Sequence, residues 1–371
     1  MQPAANSFRA TLVVACATTF SDTQGWEPMN LTNSKPSMMV FLAVLSMSLS
    51  SKTSMAQSPV NKPVAARAAD KVILDTDIGD DIDDAFALSL ALNSPELKII
   101  GITSAWGNTA LRSRLLDRIL CETGREDVPV YTGVPTKTTT KFTQQAWANQ
   151  GIEHPHSDAV TFLLDQIRQN PGEITLIAIA PLTNIGAAIE RDPATFRKLK
   201  RVVLMGGSIY RGYDDFAYNT THKPEAEYNI AMDVAASQKL FTSGVPIYMM
   251  PLDSTQLKFD ETKRSLLASI STPLTDSLQV LTAEWQRNAQ QTTPTMFDVV
   301  ATAYAIDPQT CPTTPLHIEV DDKGFTRIAP GQPNANACLE PHTDAFFNLL
   351  MPRLLNQKMT GTQVCTEPAK N

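Results

Sequence analysis

The stretch from Lys71 to Ala85 limits this chain's fold more than any other. A short apolar run, Val72 to Leu74, leads into six aspartates within the ten residues Asp75 to Asp84. From Ala85 to Leu92 the apolar residues recur at helical spacing. The order reads as strand, acidic turn, helix. Carboxylates packed this closely repel one another unless something positive sits among them. A hard divalent cation with oxygen ligands meets that need, and Ca²⁺ accepts several carboxylates at once. An acidic first helical turn favoured by the helix dipole accounts for Asp80 and Asp81 but not for the whole set.

The rest of the chain repeats the same alternation. Strand-like runs at Leu97 to Ser104, Val128 to Thr132, Ile174 to Ala180, Val202 to Met205 and Val245 to Met250 are separated by helical patterns at 109–123 and Ala159 to Arg168. A polar, Thr-rich loop spans 133–156. After residue 259 the pattern turns mainly helical, with a hairpin from His317 to Val320 and Phe325 to Ile328 turning at Asp321-Asp-Lys-Gly324. Repeated β-then-α order predicts an α/β fold: one domain, with a mostly parallel central sheet flanked by helices and an active site at the C-terminal ends of the strands. The net charge of −7 is mildly acidic and no basic run stands out, which argues against a nucleic-acid partner. No apolar stretch is long enough to span a membrane.

The N-terminus reads separately, as a leader over 1–56. Lys35 precedes an apolar segment at about 38–50, and Ser54-Met-Ala56 is a small-x-small site. This is the grammar of a secretory signal peptide, so the chain is expected to be exported, periplasmic or secreted, with no membrane association once the signal is removed. Residues 57–70 read as a flexible lead-in and 71–371 as the catalytic domain. Without the leader four cysteines remain, Cys121, Cys311, Cys338 and Cys365. An even number permits disulfides. Cys311 and Cys338 flank the hairpin and are the expected pair, whereas Cys121 lies on a helical pattern and reads as a buried thiol.

The predicted strand ends carry polar residues that a doubly wound sheet brings to one rim. They are Asp75 and Asp77, Asn108, Thr183-Asn184, Glu227-Tyr-Asn229 and, at a helix start, Asp298. Carboxylates, amides and a cation there suit a polyhydroxylated ligand such as a sugar. Each also has a plainer reading: Asn108 and Asp298 as helix caps, Thr183 and Asn184 as helix N-terminal residues, Glu227 and Asn229 as solvated loop. Among the aromatics and histidines that could line a ligand pocket, Trp285 and His154 are singled out, although such residues more often serve as surface or core.

On these residues the chain resembles the inosine-uridine preferring nucleoside hydrolases, from about Lys71 to the C-terminal helix. The resemblance rests on Asp75-Thr-Asp77-Ile-Gly79 with Asp83-Asp84-Ala85, Trp106-Gly-Asn108, Ala180-Pro-Leu-Thr-Asn-Ile185, Met205-Gly-Gly207, Ala226-Glu-Tyr-Asn229 and Asp298. It implies Ca²⁺-dependent hydrolysis of the N-glycosidic bond of ribonucleosides by a homodimer or homotetramer. By motif position, Asp77, Asp84, Asp298 and the Thr183 carbonyl would hold the calcium, and Asp77 would take the proton of the attacking water. Asp83, Asn108, Glu227, Asn229 and the less regularly spaced Asn219 would bind the ribose. The chemistry suits these residue types, because departure of the base leaves an oxocarbenium-like sugar that carboxylates stabilise.

The chain departs from the family pattern in two informative places. Asp80-Asp81-Ile82 stands between Gly79 and Asp83, where one residue is usual, so Asp80 or Asp81 could be the true ligand. Phe297 precedes Asp298, where many members carry a histidine acid. An aromatic there implies activation of a purine by stacking, hence a suspected purine preference, with Phe297 as a catalytic residue. Two other classes remain open at this stage. One is an exported nucleoside- or sugar-binding protein without catalysis. The other is a Mg²⁺-dependent haloacid-dehalogenase-type phosphohydrolase, whose Asp-x-Asp also ends a strand but which wants Thr or Val where Gly79 stands.

Overall fold

A computed structural model describes residues 68–214, 223–357 and 365–366. The expected leader and most of the lead-in lie outside the described residues. Ten strands are present among them: β1 (Asp70–Thr76), β2 (Leu97–Ser104), β3 (Val130–Thr132), β4 (Ile174–Ile179), β5 (Arg201–Met205), β6 (Ile247–Met250), β7 (Thr313–Leu316), β8 (Ile318–Val320), β9 (Thr326–Ile328) and β10 (Ala335–Cys338). Eight of them form one sheet in the order β3-β2-β1-β4-β5-β6-β10-β7, and β8 pairs with β9 as a separate hairpin. All neighbours in the large sheet run parallel except β10 and β7.

Strand periodicity explains why both faces are covered. Side chains alternate across a strand, so Val72 and Leu74 of β1 face one core while Ile73 faces the other. The first core is completed by the helices Asp83–Leu92, Pro273–Ala289, Phe297–Ile306 and Thr343–Leu355. The second is completed by Ala159–Gln169, Thr183–Arg191 and Val234–Thr242. Near-continuous apolar strands are what burial on two faces requires. The fold is therefore the single α/β domain expected. Among the described residues no helix is long and apolar enough to cross a membrane.

Two features differ from expectation. β7 and β10 extend the sheet within the region that reads as helical. Both are four-residue strands carrying polar residues, and β7 contains Pro315, so neither shows the alternation that marks a strand. Cys121 is not a free thiol, because it forms a disulfide with Cys365 across a sequence separation of 244. A helical pattern says which face a cysteine lies on but not what a distant segment brings against it. The expected Cys311–Cys338 disulfide is present.

The topology fixes the place of chemistry. β1 lies between β2 and β4, and chain order reverses there. The connections after β1 and β4 leave in opposite directions, opening a crevice at the carboxyl ends of the strands. The acidic turn follows β1 directly into that crevice.

Candidate active site

Asp75 is the last acidic residue inside β1, and it is structural. It is 1% exposed, accepts from Thr103 Oγ1 at 2.5 Å and from Asn184 Nδ2 at 2.7 Å, and thereby ties β1 to β2 and to the helix after β4. Burial pushes its carboxyl up to about 6 despite those two donors. The remaining aspartates, from Asp77 to Asp84, line a cavity of about 530 Å³. Gly79 shapes the turn between them. Its φ is +121°, a conformation that side chains rarely adopt, and a Cβ there would fall inside the Phe142 ring.

The helix Asp83–Leu92 starts with two buried carboxylates, and the helix Phe297–Ile306 packs beside it carrying a third. Oxygens of Asp83, Asp84 and Asp298 lie within 4.8 Å of one another, all buried. The main-chain N–H of Asp298 donates to Asp83 Oδ2 at 3.0 Å, and Thr76 Oγ1 donates to Asp84 Oδ1 at 2.5 Å. Burial first, and repulsion among the neighbouring aspartates second, push all three carboxyls well above their usual range. Burial also raises Asp77, up to about 8, against the pull of the Arg112 guanidinium. Several carboxylates converging at buried positions make a costly arrangement without a counter-charge. All-oxygen donors at this spacing fit a hard divalent cation and not a thiophilic metal.

Glu227, Tyr228 and Asn229 line the same cavity. Glu227 caps the helix Tyr228–Ala231, accepting from the N–H groups of Asn229 (2.9 Å), Ile230 (3.2 Å) and, just past the end of β5, Gly207 (2.8 Å). Burial nevertheless holds its carboxyl up at about 7. Asn229 Nδ2 donates to Met205 O at 3.2 Å, at the end of β5. The aromatic side is made by Phe297, Tyr213 and Trp285. Phe297 is partly exposed to the cavity and meets Tyr213 edge to face, with centroids 6.0 Å apart.

Of the residues expected at the site, Asp77, Asp83, Asp84, Glu227, Asn229, Phe297 and Asp298 come together around this cavity. Asp80 and Asp81 line it too. Asn108 does not: it is exposed and caps the helix Thr109–Glu122, its side chain accepting from Leu111 N at 3.1 Å. Thr183 opens the helix after β4 with its hydroxyl on Asp233, and it too lies outside the lining. Asn219 falls outside the described residues. Trp285 lines the cavity, whereas His154 is exposed and away from it.

Sequence reading misses Arg112, Tyr213 and Tyr228. The Tyr228 hydroxyl lies between Trp106 Nε1 (3.1 Å) and Thr140 Oγ1 (2.7 Å), joining the β2 turn to the Thr-rich loop. Tyr228 stands inside the Ala226-Glu-Tyr-Asn229 motif, and that position is a signal for a cavity residue. Arg112, one turn beyond Asn108 on a helix, gives no signal at all.

This constellation has counterparts in known proteins. The profile of the inosine-uridine preferring nucleoside hydrolases matches residues 72–348. The chain belongs to that family. It is 35% identical over 209 residues to an uncharacterized protein of Schizosaccharomyces pombe, a match spanning 52% of this chain and 64% of the relative. It is also 35% identical over 198 residues to the pyrimidine-specific ribonucleoside hydrolase RihB of Escherichia coli, spanning 50% of this chain and 60% of that protein. The chain thus aligns with less than two thirds of the length of these curated relatives. Among solved structures, a plant nucleoside hydrolase superposes with a TM-score of 0.66 at 26% identity, covering 77% of this chain and 99% of its own. The purine-preferring ribonucleoside hydrolase from Gardnerella vaginalis gives the same score and identity over 77% and 98%.

Proposed function

We propose that this protein hydrolyses the N-glycosidic bond of ribonucleosides to free base and ribose, with Ca²⁺ as its cofactor. The observation that carries this reading is the meeting of Asp83, Asp84 and Asp298 within 4.8 Å in a cavity that Asp77, Glu227, Asn229 and the aromatics Tyr213, Trp285 and Phe297 also line. Asp83, Asp84 and Asp298 would hold the ion, with Asp77 beside them. When bound, the ion supplies Lewis acidity toward water and an anchor for the sugar's vicinal hydroxyls.

The protein's own groups do the rest. Asp77, buried and lining the cavity beside the carboxylates that would hold the ion, would accept the proton of the attacking water. Glu227 and Asn229, which line the same cavity, would take the ribose hydroxyls. Glu227 is already oriented by three main-chain donors, so little reorganisation accompanies binding. The ring of carboxylates favours the positive charge that develops on the sugar as the base leaves. Phe297 offers no proton. A base held against its ring, with Tyr213 behind, leaves more readily once its own ring is protonated, since aromatic faces stabilise cations.

That last step favours purines, which present more ring, and the similarity to the purine-preferring Gardnerella enzyme points the same way. The pyrimidine-specific Escherichia coli relative supports the opposite preference. Comparing kcat/KM for inosine, adenosine, guanosine, uridine and cytidine decides between them. The activity itself is tested by stripping the protein with chelator and adding back Ca²⁺. Hydrolysis that persists in metal-free protein contradicts the reading, and nucleoside binding without turnover in Ca²⁺ identifies a binding protein instead.

The same reading includes export. Two disulfides, Cys121–Cys365 and Cys311–Cys338, support it, because such bonds persist in oxidising compartments. Fractionation of the source cells, with N-terminal sequencing of the mature chain, tests both the compartment and cleavage after Ala56.

A further inference from the structure

The acidic turn has a fixed cation of its own. Arg112 is 1% exposed, on the helix Thr109–Glu122, and its guanidinium points back under the turn after β1. Nη1 donates to the carbonyl of Asp77 and, at 3.0 Å, to that of Ile78. Nη2 pairs with Asp80 Oδ2 at 2.7 Å, and Nε donates to Trp106 O at 2.7 Å. Gly107 leaves room for it, since a Cβ there would come within 3.1 Å of Nη2. One side chain therefore grips three points of the turn that carries Asp77 and one point of the turn after β2.

We propose that Arg112 is the positioning residue of this site, and that Asp80 is its counter-charge rather than a ligand of the ion. The proposal rests on the hydrolase reading above. The physical logic is that the segment between the end of β1 at Thr76 and the helix start at Asp83 belongs to neither element, and ordering such irregular backbone costs conformational entropy. A planar fork holding the Asp77 and Ile78 carbonyls before Gly79 and the Asp80 carboxylate after it supplies the precision that a base and an ion site need. Asp80 meets Arg112 with one oxygen. Its other oxygen is buried without a partner among the described residues.

Three variants test this: Arg112→Met, Asp80→Asn and the double variant, which leaves no unpaired buried charge if the single Arg112 change unfolds the protein. Each is measured for Ca²⁺ affinity by calorimetry without nucleoside, and for kcat and KM separately. Loss of the clamp is expected to lower kcat about 100-fold, the scale of a 1 Å misplacement, with KM changed less than about threefold. The same loss is expected in the folded double variant, and Arg112→Lys should recover only part of it because one ammonium nitrogen cannot span the four acceptors that Nε, Nη1 and Nη2 reach. Asp80→Asn alone should keep Ca²⁺ affinity within about threefold. Wild-type kcat in the double variant would show that Arg112 merely neutralises Asp80 and overturn the positioning role. A loss of Ca²⁺ affinity of about 100-fold or more in Asp80→Asn would make Asp80 a ligand and overturn its assignment. Failure of wild-type protein to bind Ca²⁺ or hydrolyse nucleosides would instead count against the hydrolase reading, independently of these variants.

Discussion

Replacing Asp298 by Asn should stabilise the protein without metal and destabilise it with metal. Asp298, Asp83 and Asp84 place oxygens no more than 4.8 Å apart. Two unit charges at that distance repel by roughly 3.5 kcal/mol at an effective dielectric of about 20. Asp298 takes part in two such pairs. The full sum is never reached, because crowded carboxyls take up protons instead, and all three are held well above the usual range. A gain of about 1–3 kcal/mol in chelator is the expected net effect. Asn keeps the shape, and the Asp298 main-chain bond to Asp83 is untouched. With Ca²⁺ the sign reverses. Wild type at 100 times its dissociation constant gains about 2.7 kcal/mol, and the variant forfeits most of that. Urea unfolding of both proteins, in EDTA and in excess Ca²⁺, gives the four free energies needed. If the Asp298→Asn variant is less stable than wild type in EDTA, or gains as much from Ca²⁺ as wild type does, the account of this cluster as a charge-starved ion site is wrong.

Three further outcomes follow from other parts of the molecule. Phe297→Ala should cost the best purine substrate about 1–3 kcal/mol in kcat/KM, the range for base–aromatic stacking, while leaving Ca²⁺ affinity unchanged; equal losses for uridine and inosine would remove Phe297 from base selection. Cys365→Ser opens a loop of 244 residues, for which chain entropy sets a ceiling of about 5 kcal/mol; urea melts should show a loss of about 2–5 kcal/mol, and no loss would mean the Cys121 crosslink restrains nothing in the unfolded chain. His156 Nε2 lies 2.8 Å from Asp117, whose hydrogen bond raises the imidazole above its usual value. The stability it contributes is therefore full below about pH 6.5 and fades as pH rises through the raised value; NMR titration should place the midpoint above that of the Asp117→Asn variant, and an unmoved midpoint would refute the pairing.

The sequence alone determined the fold class and the acidic pole of the site. Apolar periodicity and strand-then-helix order are local signals, each written within ten or so residues, and β1, β2, β4, β5 and the helix after the acidic turn fall where that pattern places them. Charge crowding is local too, so the aspartates from Asp75 to Asp84 stand out as a set before any geometry is known, and the family resemblance picks Asp77, Asp83 and Asp84 from it and draws Glu227, Asn229 and Asp298 toward them. What only the tertiary structure decided depends on contacts between distant segments. The partner of Cys121 lies 244 residues away. β7 and β10 are strands because the sheet edge accepts them, not because their own residues alternate. Asn108 belongs to a family motif, yet it turns outward to cap its helix. Asp80 and Asp81 are indistinguishable in sequence from their neighbours. Arg112 separates Asp80 from the rest by reaching across 32 positions of sequence, and a pairing of that kind exists only once the β1 and β2 turns have been folded side by side.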